Sequence, residues 1–300
     1  MSVVKPTIIC CVPMILEKVY RKQVMPMLEK GPMSIAVKIP LLNTAIYSVI
    51  RKKLLDAFGG NVDIFIVGGA PMNQETEAFL MKIKFPITIG YGMTECAPLI
   101  SFTPDNEFKA GSCGRYLKGL LDVRIDSPDP EHVAGEIVVR GEHVMKGYYK
   151  NEKDTEKVLE PDGWLHTGDL ACRTPDGHYR ITGRLKDMII RGGENIYPKE
   201  IEEFIYTHPK VKDVQVIGVP DEQYGEEICA CIVLKDGEEM TEDEMKKYIL
   251  DHMARHKVPK YIDFVDSFPM NVAGKILKYK MREDAVERHG LRKAAEIETA

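Results

Sequence analysis

The stretch "GRLKDMIIRGGENIYPKEIE", residues 183–202, marks where the character of the chain changes. Before it lie short alternating segments, "DVRID", "GEIVVRG" and "GHYRITGR", separated by Gly, Pro and Asp. That pattern predicts a small antiparallel barrel or sheet. After it, "YPKEIEEFI" sets Pro198 near a first helical turn, with Ile201, Phe204 and Ile205 on one face. Between the two, "RGGEN" reads as a flexible glycine-rich loop leading into a helix start, a place that favours anions. Arg184 is a candidate to bind a hydroxyl or a phosphate. The plainer reading of the stretch is a connector, and both readings hold together if a hinge falls near Lys186.

Downstream, residues 187–300 read as an α+β domain. "VKDVQVIGV" and "EEICACIVL" have the look of strands, with Cys229 and Cys231 alternating along the second. "TEDEMKKYILDHM" opens with Thr241 and Glu244 at capping-box spacing and carries an apolar stripe of Met245, Tyr248, Ile249, His252 and Met253. Upstream, residues 106–184 form the antiparallel β region, with a hairpin signal in "PDGHYRITG". Residues 1–105 read as α/β. "TIICCV" and "VDIFIVGG" are apolar runs of the buried parallel kind. "TAIYSVIRKKLLDAF" predicts a helix with Ile46, Val49, Ile50, Leu54 and Phe58 on one face, ended by Gly59 and Gly60. "QETEAFLMKI" predicts a second helix after a turn at Pro71, and "PITIGYG" a short strand.

Composition narrows the function. The 300 residues are 44% hydrophobic, ample for a packed core, and the formal net charge of -5 argues against nucleic acid as a partner. The seven cysteines include no CxxC pair, which argues against zinc or a redox dithiol and favours a reducing, cytoplasmic location. The stretch "TIICCVPMIL" is broken by Pro13 and falls well short of the ~20 residues that span a bilayer. No membrane span is expected; contact with a membrane surface and the oligomeric state stay open. The chain enters a core-like segment almost at once, so further sequence is expected upstream.

Three short segments carry candidate chemistry. "YGMTE", residues 91–95, follows an apolar strand, where α/β sheets bind ligands. Gly92 lets backbone approach a ligand, Thr94 can donate to a phosphate, and Glu95 can ligate Mg²⁺, a hard cation that prefers oxygen. The alternative is a turn with a solvated glutamate. "GWLHTGD", residues 163–169, puts Asp169 at a strand end, where a carboxylate can accept hydrogen bonds from the vicinal hydroxyls of a ribose. The alternative is an Asx turn. His166 reads as structural, and no partner carboxylate for it is evident. "NVAGKILKYK", residues 271–280, holds a Gly-Lys pair, but Pro269 stands where a phosphate loop needs glycine and Ile276 where it needs Ser or Thr. On its own, Lys275 reads as a surface lysine.

Taken in order, "VGGAP", "YGMTE", "GEIVVRG…MKGYY", "GWLHTGDL", "GRLKDMIIRGGENIYPKEIE" and "NVAGKILK" resemble the AMP-forming acyl-CoA synthetases. These belong to the adenylate-forming superfamily, with luciferases and peptide-synthetase adenylation domains. The resemblance runs from about residue 6 to residue 283, and "KPTIICCVPMILEKVY" looks most like the long-chain fatty acid branch. It implies an adenylate-forming fold incomplete at the amino terminus: an α/β remnant, a barrel-like β subdomain and a mobile α+β domain. The family's Ser/Thr/Gly-rich triphosphate loop has no counterpart here, so this chain alone is expected to form neither adenylate nor thioester.

The resemblance also implies roles. Gly69, Ala70 and Pro71, with Tyr91, flank adenine, and Gly92 also belongs to the cofactor-binding set; Thr94 touches the α-phosphate and Glu95 holds Mg²⁺. Asp169 and Arg184 bind the ribose. Lys275 bridges the carboxylate and the α-phosphate, Lys186 is the hinge, and Gly192 and Gly193 line the path of coenzyme A. The substrates implied are ATP, a fatty acid and CoA. A carrier protein as acceptor, or a binding module without catalysis, are the alternatives.

Overall fold

The computed structural model describes residues 3–29, 32–37, 39–271 and 275–296. The chain divides into two compact units, Met1–Thr167 with Ala171–Ile181, and Gly168–Leu170 with Thr182–Ala300.

In the first unit, β1 (Ile8–Cys11), β2 (Ile64–Val67) and β3 (Ile87–Ile89) pair in parallel in that order. Parallel neighbours need crossovers, and helices supply them. Pro13–Val19 and Pro40–Ala57 lie between β1 and β2, and Gln74–Lys82 between β2 and β3. Phe65, Val67 and Ile87 of the sheet form one core with Leu16, Tyr20, Ile50, Leu54, Phe79 and Leu80. The long helix Pro40–Ala57 buries Ile50 and Leu54, with Ile46, Tyr47 and Phe58 partly covered, whereas Val49 is 55% exposed. At 100° per residue the stripe centres near Leu54, and Val49 falls about 140° away from it. Asn73 caps the helix Gln74–Lys82, its Oδ1 accepting the Thr76 N–H at 3.1 Å.

Two further sheets follow. One is β4 (Tyr91–Gly92), β5 (Leu99–Phe102) and β6 (Arg115–Tyr116), antiparallel. The other has four strands: β7 (Leu121–Asp126), β8 (Gly135–Gly141), β9 (Leu165–Arg173) and β10 (Tyr179–Arg184), in the order β10-β9-β8-β7. Ile100, Cys113, Leu121, Ile137, Val139, Leu165 and Tyr179 form their common core. The antiparallel region therefore opens at Tyr91, ahead of the change in composition near residue 105. The Asp176-Gly177 turn joins β9 to β10, with Gly177 at φ +87°. A Cβ on Gly135 would lie 2.2 Å from the Asp126 carbonyl oxygen, so β7 and β8 meet there only through glycine.

In the second unit, β11 (Ile189–Arg191), β12 (Glu194–Ile196), β13 (Val211–Asp221), β14 (Gly225–Leu234) and β15 (Tyr261–Phe264) form one sheet. β14 is central: it pairs antiparallel with β13 and parallel with β15, and meets β11 at Arg191. Both faces are covered. Val214, Val216, Ile228, Ala230 and Ile232 pack with Ile201, Ile205, Met245 and Ile249. Those four come from helices Pro198–Tyr206 and Glu242–Leu250. Ile217, Val219, Cys229, Cys231 and Val233 pack with Met281 and Ala285 of the helix Lys278–Arg288. The period-two alternation along β13 and β14 thus supplies two cores. The capping box forms: Thr241 Oγ1 accepts the Glu244 N–H at 3.3 Å, and Glu244 Oε2 accepts the Thr241 N–H at 2.8 Å. Tyr248 stacks on Phe204 at 5.0 Å, and the exposed His252 lies at the rim of that pair.

Replacing Gly135 by Ala forces two strands apart and is expected to cost about 1–3 kcal/mol in urea unfolding. Gly183→Ala, whose Cβ would meet nothing within 4 Å, is the control and should stay within about 0.5 kcal/mol of wild type.

Candidate functional site

The parallel sheet ends in two loops. The Gly68 N–H donates to the Cys11 carbonyl at 3.1 Å and the Gly90 N–H to the Val67 carbonyl at 2.9 Å, so the chain leaves β2 and β3 still in register. A Cβ on Gly68 would sit 3.4 Å from the Gly90 carbonyl oxygen, which brings the two exits close together. Gly69 turns in the left-handed region at φ +85°, and Gly69 and Pro71 are exposed, with Ala70 half-buried. These carboxyl ends are where open α/β sheets bind ligands.

Gly92 fixes the next turn. A Cβ there would lie 1.9 Å from the Pro98 carbonyl oxygen. The chain folds back on itself, with the Met93 N–H on that same oxygen at 2.8 Å, and residues Thr94–Cys96 make one 3₁₀ turn between. Thr94 is exposed, Glu95 half-buried and Cys96 buried beneath them. Burial, helped by the Glu95 charge, pushes the Cys96 thiol up to about 12, so it stays an inert thiol. Tyr148 donates its phenol to Glu95 Oε1 at 3.0 Å, and the Met145 N–H donates to the Glu95 carbonyl at 2.7 Å. Desolvation, and then the Glu95 hydrogen bond, raise Tyr148 above the usual phenol range and keep it a neutral donor. Sequence reasoning missed this partnership; its signal lay in the "MKGYY" segment. Carboxylate oxygen at a half-buried turn suits a hard divalent cation, so Glu95 fits the role of a Mg²⁺ ligand.

The "GWLHTGD" segment holds a second network. Trp164 lies between the guanidinium groups of Arg124 at 4.4 Å and Arg140 at 4.7 Å from its ring. His166 bridges two carboxylates, Nδ1 to Glu136 Oε2 and Nε2 to Glu160 Oε1, both at 2.8 Å. The Glu136 hydrogen bond raises its pKa most; burial opposes this and Glu160 adds to it. Neither glutamate could be assigned from spacing.

In the second unit, Asp169 and Arg184 meet: Nε lies 3.0 Å from Oδ1, with the carboxylate buried and the guanidinium half-exposed. Two residues singled out separately in the sequence therefore form one pair on neighbouring strands. Lys186 is exposed, in the 3₁₀ turn Leu185–Asp187 between β10 and β11.

Gly192 and Gly193 correct the sequence reading. They are the two-residue tip of the β11–β12 hairpin, at φ +58° and +86°, with Arg191 paired to Glu194. The helix begins only at Pro198. The glycines are thus not a loop running into a helix start. Arg191 pins the hairpin, with Nε and Nη2 each 2.8 Å from the buried Glu227 carboxylate.

Lys275 is exposed; Val272, Ala273 and Gly274 lie outside the described residues. Asn271 and Lys275 exchange bonds, Asn271 N–H to the Lys275 carbonyl and Lys275 N–H to Asn271 Oδ1, both at 2.9 Å. Met270 and Ile276 pair as an antiparallel bridge.

Among the described residues, Cys229, Asp263 and His289 bring ligand-type atoms together. This group is a closed network: Arg288 pairs with the buried Asp263, His289 Nε2 lies 2.9 Å from its Oδ1, and Cys229 donates to it at 3.4 Å. The Cys231 hydrogen bond, and then burial, raise the Cys229 thiol far above its ordinary value.

Comparison with known proteins gives the class. The model of the AMP-binding enzyme family matches residues 1–149, and that of the AMP-binding enzyme C-terminal domain matches residues 200–275. The chain belongs to the AMP-binding, adenylate-forming enzymes. It is 49% identical over 236 residues to a putative acyl-CoA synthetase, YngI, of Bacillus subtilis, covering 75% of this chain and 43% of that protein. It is 43% identical over 233 residues to the human mitochondrial medium-chain acyl-CoA ligase ACSF2, covering 75% of this chain and 38% of that one. It therefore spans well under half the length of these relatives. ATP-bound MatB from Rhodopseudomonas palustris superposes with a TM-score of 0.77 at 29% identity, covering 95% of this chain and 52% of that one. That structure shares the mixed sheet-and-helix architecture described above.

The His166 network sets a pH dependence. A histidine whose pKa is raised on folding adds stability that is complete below its ordinary value near 6.5 and is lost as pH rises through the raised value. The stability difference between wild type and His166→Gln, measured by urea unfolding, should therefore be larger at about pH 5.5 than at about pH 9. An equal difference at both would mean the imidazole carries no charge there.

Proposed function

We propose that this sequence works in an ATP-dependent acid–thiol ligase that activates a fatty acid. In the first half-reaction the substrate carboxylate attacks the α-phosphorus of ATP, giving acyl-adenylate and releasing pyrophosphate. In the second, the thiol of CoA attacks the acyl carbon, AMP leaves, and the thiol proton is released. The observation that carries the reading is the Thr94–Glu95 turn at the carboxyl end of the parallel sheet, braced by Tyr148, in a chain of the AMP-binding family.

Each residue then has a task. Gly69, Ala70, Pro71, Tyr91 and Gly92 offer backbone and a ring to adenine. Thr94 donates to the α-phosphate, and Glu95 would hold the Mg²⁺ that neutralises phosphate charge. Asp169, oriented by Arg184, accepts from the ribose hydroxyls. Lys275 supplies a compact positive charge where carboxylate and α-phosphate meet, opposite the negative charge that develops in the transition state. It rides on a unit that turns about Lys186, so it serves adenylation and withdraws before the thiol attacks. Gly192 and Gly193, at a hairpin tip without side chains, line the pantetheine path.

A medium- or long-chain acid is favoured: the named relatives are an acyl-CoA synthetase and a medium-chain acyl-CoA ligase. No helix among the described residues is long and apolar enough to cross a membrane.

Lys275→Ala, in the protein that carries this sequence, should lower carboxylate-dependent ATP–pyrophosphate exchange on the order of 100-fold or more. Thioester formation from a supplied acyl-adenylate should change by no more than about twofold. Undiminished exchange would refute the role of Lys275 and the reading built on it.

A further inference from the structure

β13 is an edge strand: among the described strands it pairs only with β14. An edge leaves alternate peptide groups without a ladder partner, and these have to be satisfied by other means. At Val216 and Gly218 this is done by side chains from two helices. The Val216 N–H donates to Glu202 Oε1 at 2.8 Å. The Val216 carbonyl accepts from Lys278 Nζ at 3.0 Å, and the same ammonium lies 2.9 Å from Glu202 Oε1. One turn on, Arg282 Nε donates to the Gly218 carbonyl at 2.8 Å. The Lys278 and Glu202 side chains are only 23% and 17% exposed, so this bridge is poorly screened by solvent.

The bridge lies three residues from Lys275. Lys278 is the first residue of the helix Lys278–Arg288. Immediately before it, the Leu277 N–H donates to the Pro269 carbonyl at 2.8 Å, closing the segment that carries Lys275. Ile276, between the two lysines, packs into the core with Met281 and Phe268. Only Ile276 and Leu277 separate Lys275 from Lys278 along the chain. Lys275 itself is exposed, and its backbone N–H and carbonyl both bond to Asn271, so this segment takes its position from what holds its base.

The geometry points to Lys278 as a positioning residue for the reaction of Lys275, with Glu202 as its counter-ion. It rests on the reading of Lys275 given above. Lys278 does not reach the reacting atoms; it pins the base of the segment to the edge of β13. Loss of the pin is expected to let Lys275 wander. Misplacing a reacting group by about an ångström costs on the order of 10- to 100-fold in rate. The loss should fall on the half-reaction that uses Lys275.

The test uses Lys278→Met in the protein that carries this sequence, with Lys278→Arg, Glu202→Gln and Lys275→Ala beside it. Lys278→Met should lower kcat for ATP–pyrophosphate exchange about 10- to 100-fold with little change in KM for ATP. Thioester formation from supplied acyl-adenylate should stay within about twofold of wild type. Lys278→Arg should recover most of the exchange, because a guanidinium can donate to both Glu202 and Val216. Glu202→Gln keeps an oxygen for the Val216 N–H while removing the negative charge opposite Lys278, and should show the same selective loss to a smaller degree. It also serves if Lys278→Met fails to fold, as judged by circular dichroism. Unchanged exchange, or an equal fall in both half-reactions, would overturn the positioning role while leaving Lys275 in place. Undiminished exchange in Lys275→Ala would instead overturn the reading on which it rests.

Discussion

The backbone passes itself so closely at Gly92 that no side chain fits. A Cβ would sit 1.9 Å from the Pro98 carbonyl oxygen, and the surrounding atoms are backbone, which cannot swing away. From this one steric fact the candidate site follows. The fold-back makes the Thr94–Cys96 turn, the turn exposes Thr94 and half-buries Glu95, and Glu95 then meets Tyr148. Gly68 and Gly90 make a milder version of the same approach at the ends of β2 and β3. Glycine here allows main chain to come close to main chain, and so sets where the polar groups at the carboxyl end of the sheet are presented.

The second unit solves a different problem. Its central strand, β14, is enclosed by β13, β15 and β11, but β13 has an open edge. Glu202, Lys278 and Arg282 close that edge with three side chains in place of a further strand. A sheet finished in this way ties its last helix to its frame through charged hydrogen bonds, which are stronger than neutral ones. A segment placed just before such a helix inherits its position. On the opposite side of the sheet, Arg191 and the buried Glu227 pin the β11–β12 hairpin in the same manner.

What was legible in the sequence was local. The Thr241–Glu244 capping box, the Asp176-Gly177 turn and the alternating apolar residues of β13 and β14 depend on residues a few positions apart, and each is found as read. Asp169 and Arg184, which the resemblance assigns together to the ribose, meet as an ion pair where β9 pairs with β10. What stayed hidden was long-range. Nothing in its spacing tells that Tyr148 reaches Glu95, that His166 lies between Glu136 and Glu160, or that Lys278 reaches Glu202. Val49 was misplaced because an apolar stripe on a long helix drifts with the 3.6-residue period. Gly192 and Gly193 were misread because a glycine pair ahead of a helix looks like a flexible loop leading into it, whereas Ile189 and Ile196 are both buried and pair across a hairpin.

In the function proposed above, Asp169 is the group that recognises the nucleotide sugar. The direct measurement is calorimetric titration of an acyl-sulfamoyl-adenosine, a non-reactive stand-in for the acyl-adenylate, into the protein that carries this sequence and into its Asp169→Ala variant. A carboxylate accepting hydrogen bonds from two hydroxyls is worth about 1.5–3 kcal/mol, so the account predicts saturable binding that weakens on the order of 10- to 100-fold in the variant. Equal affinity in the two proteins, or no binding by the wild type, would contradict it.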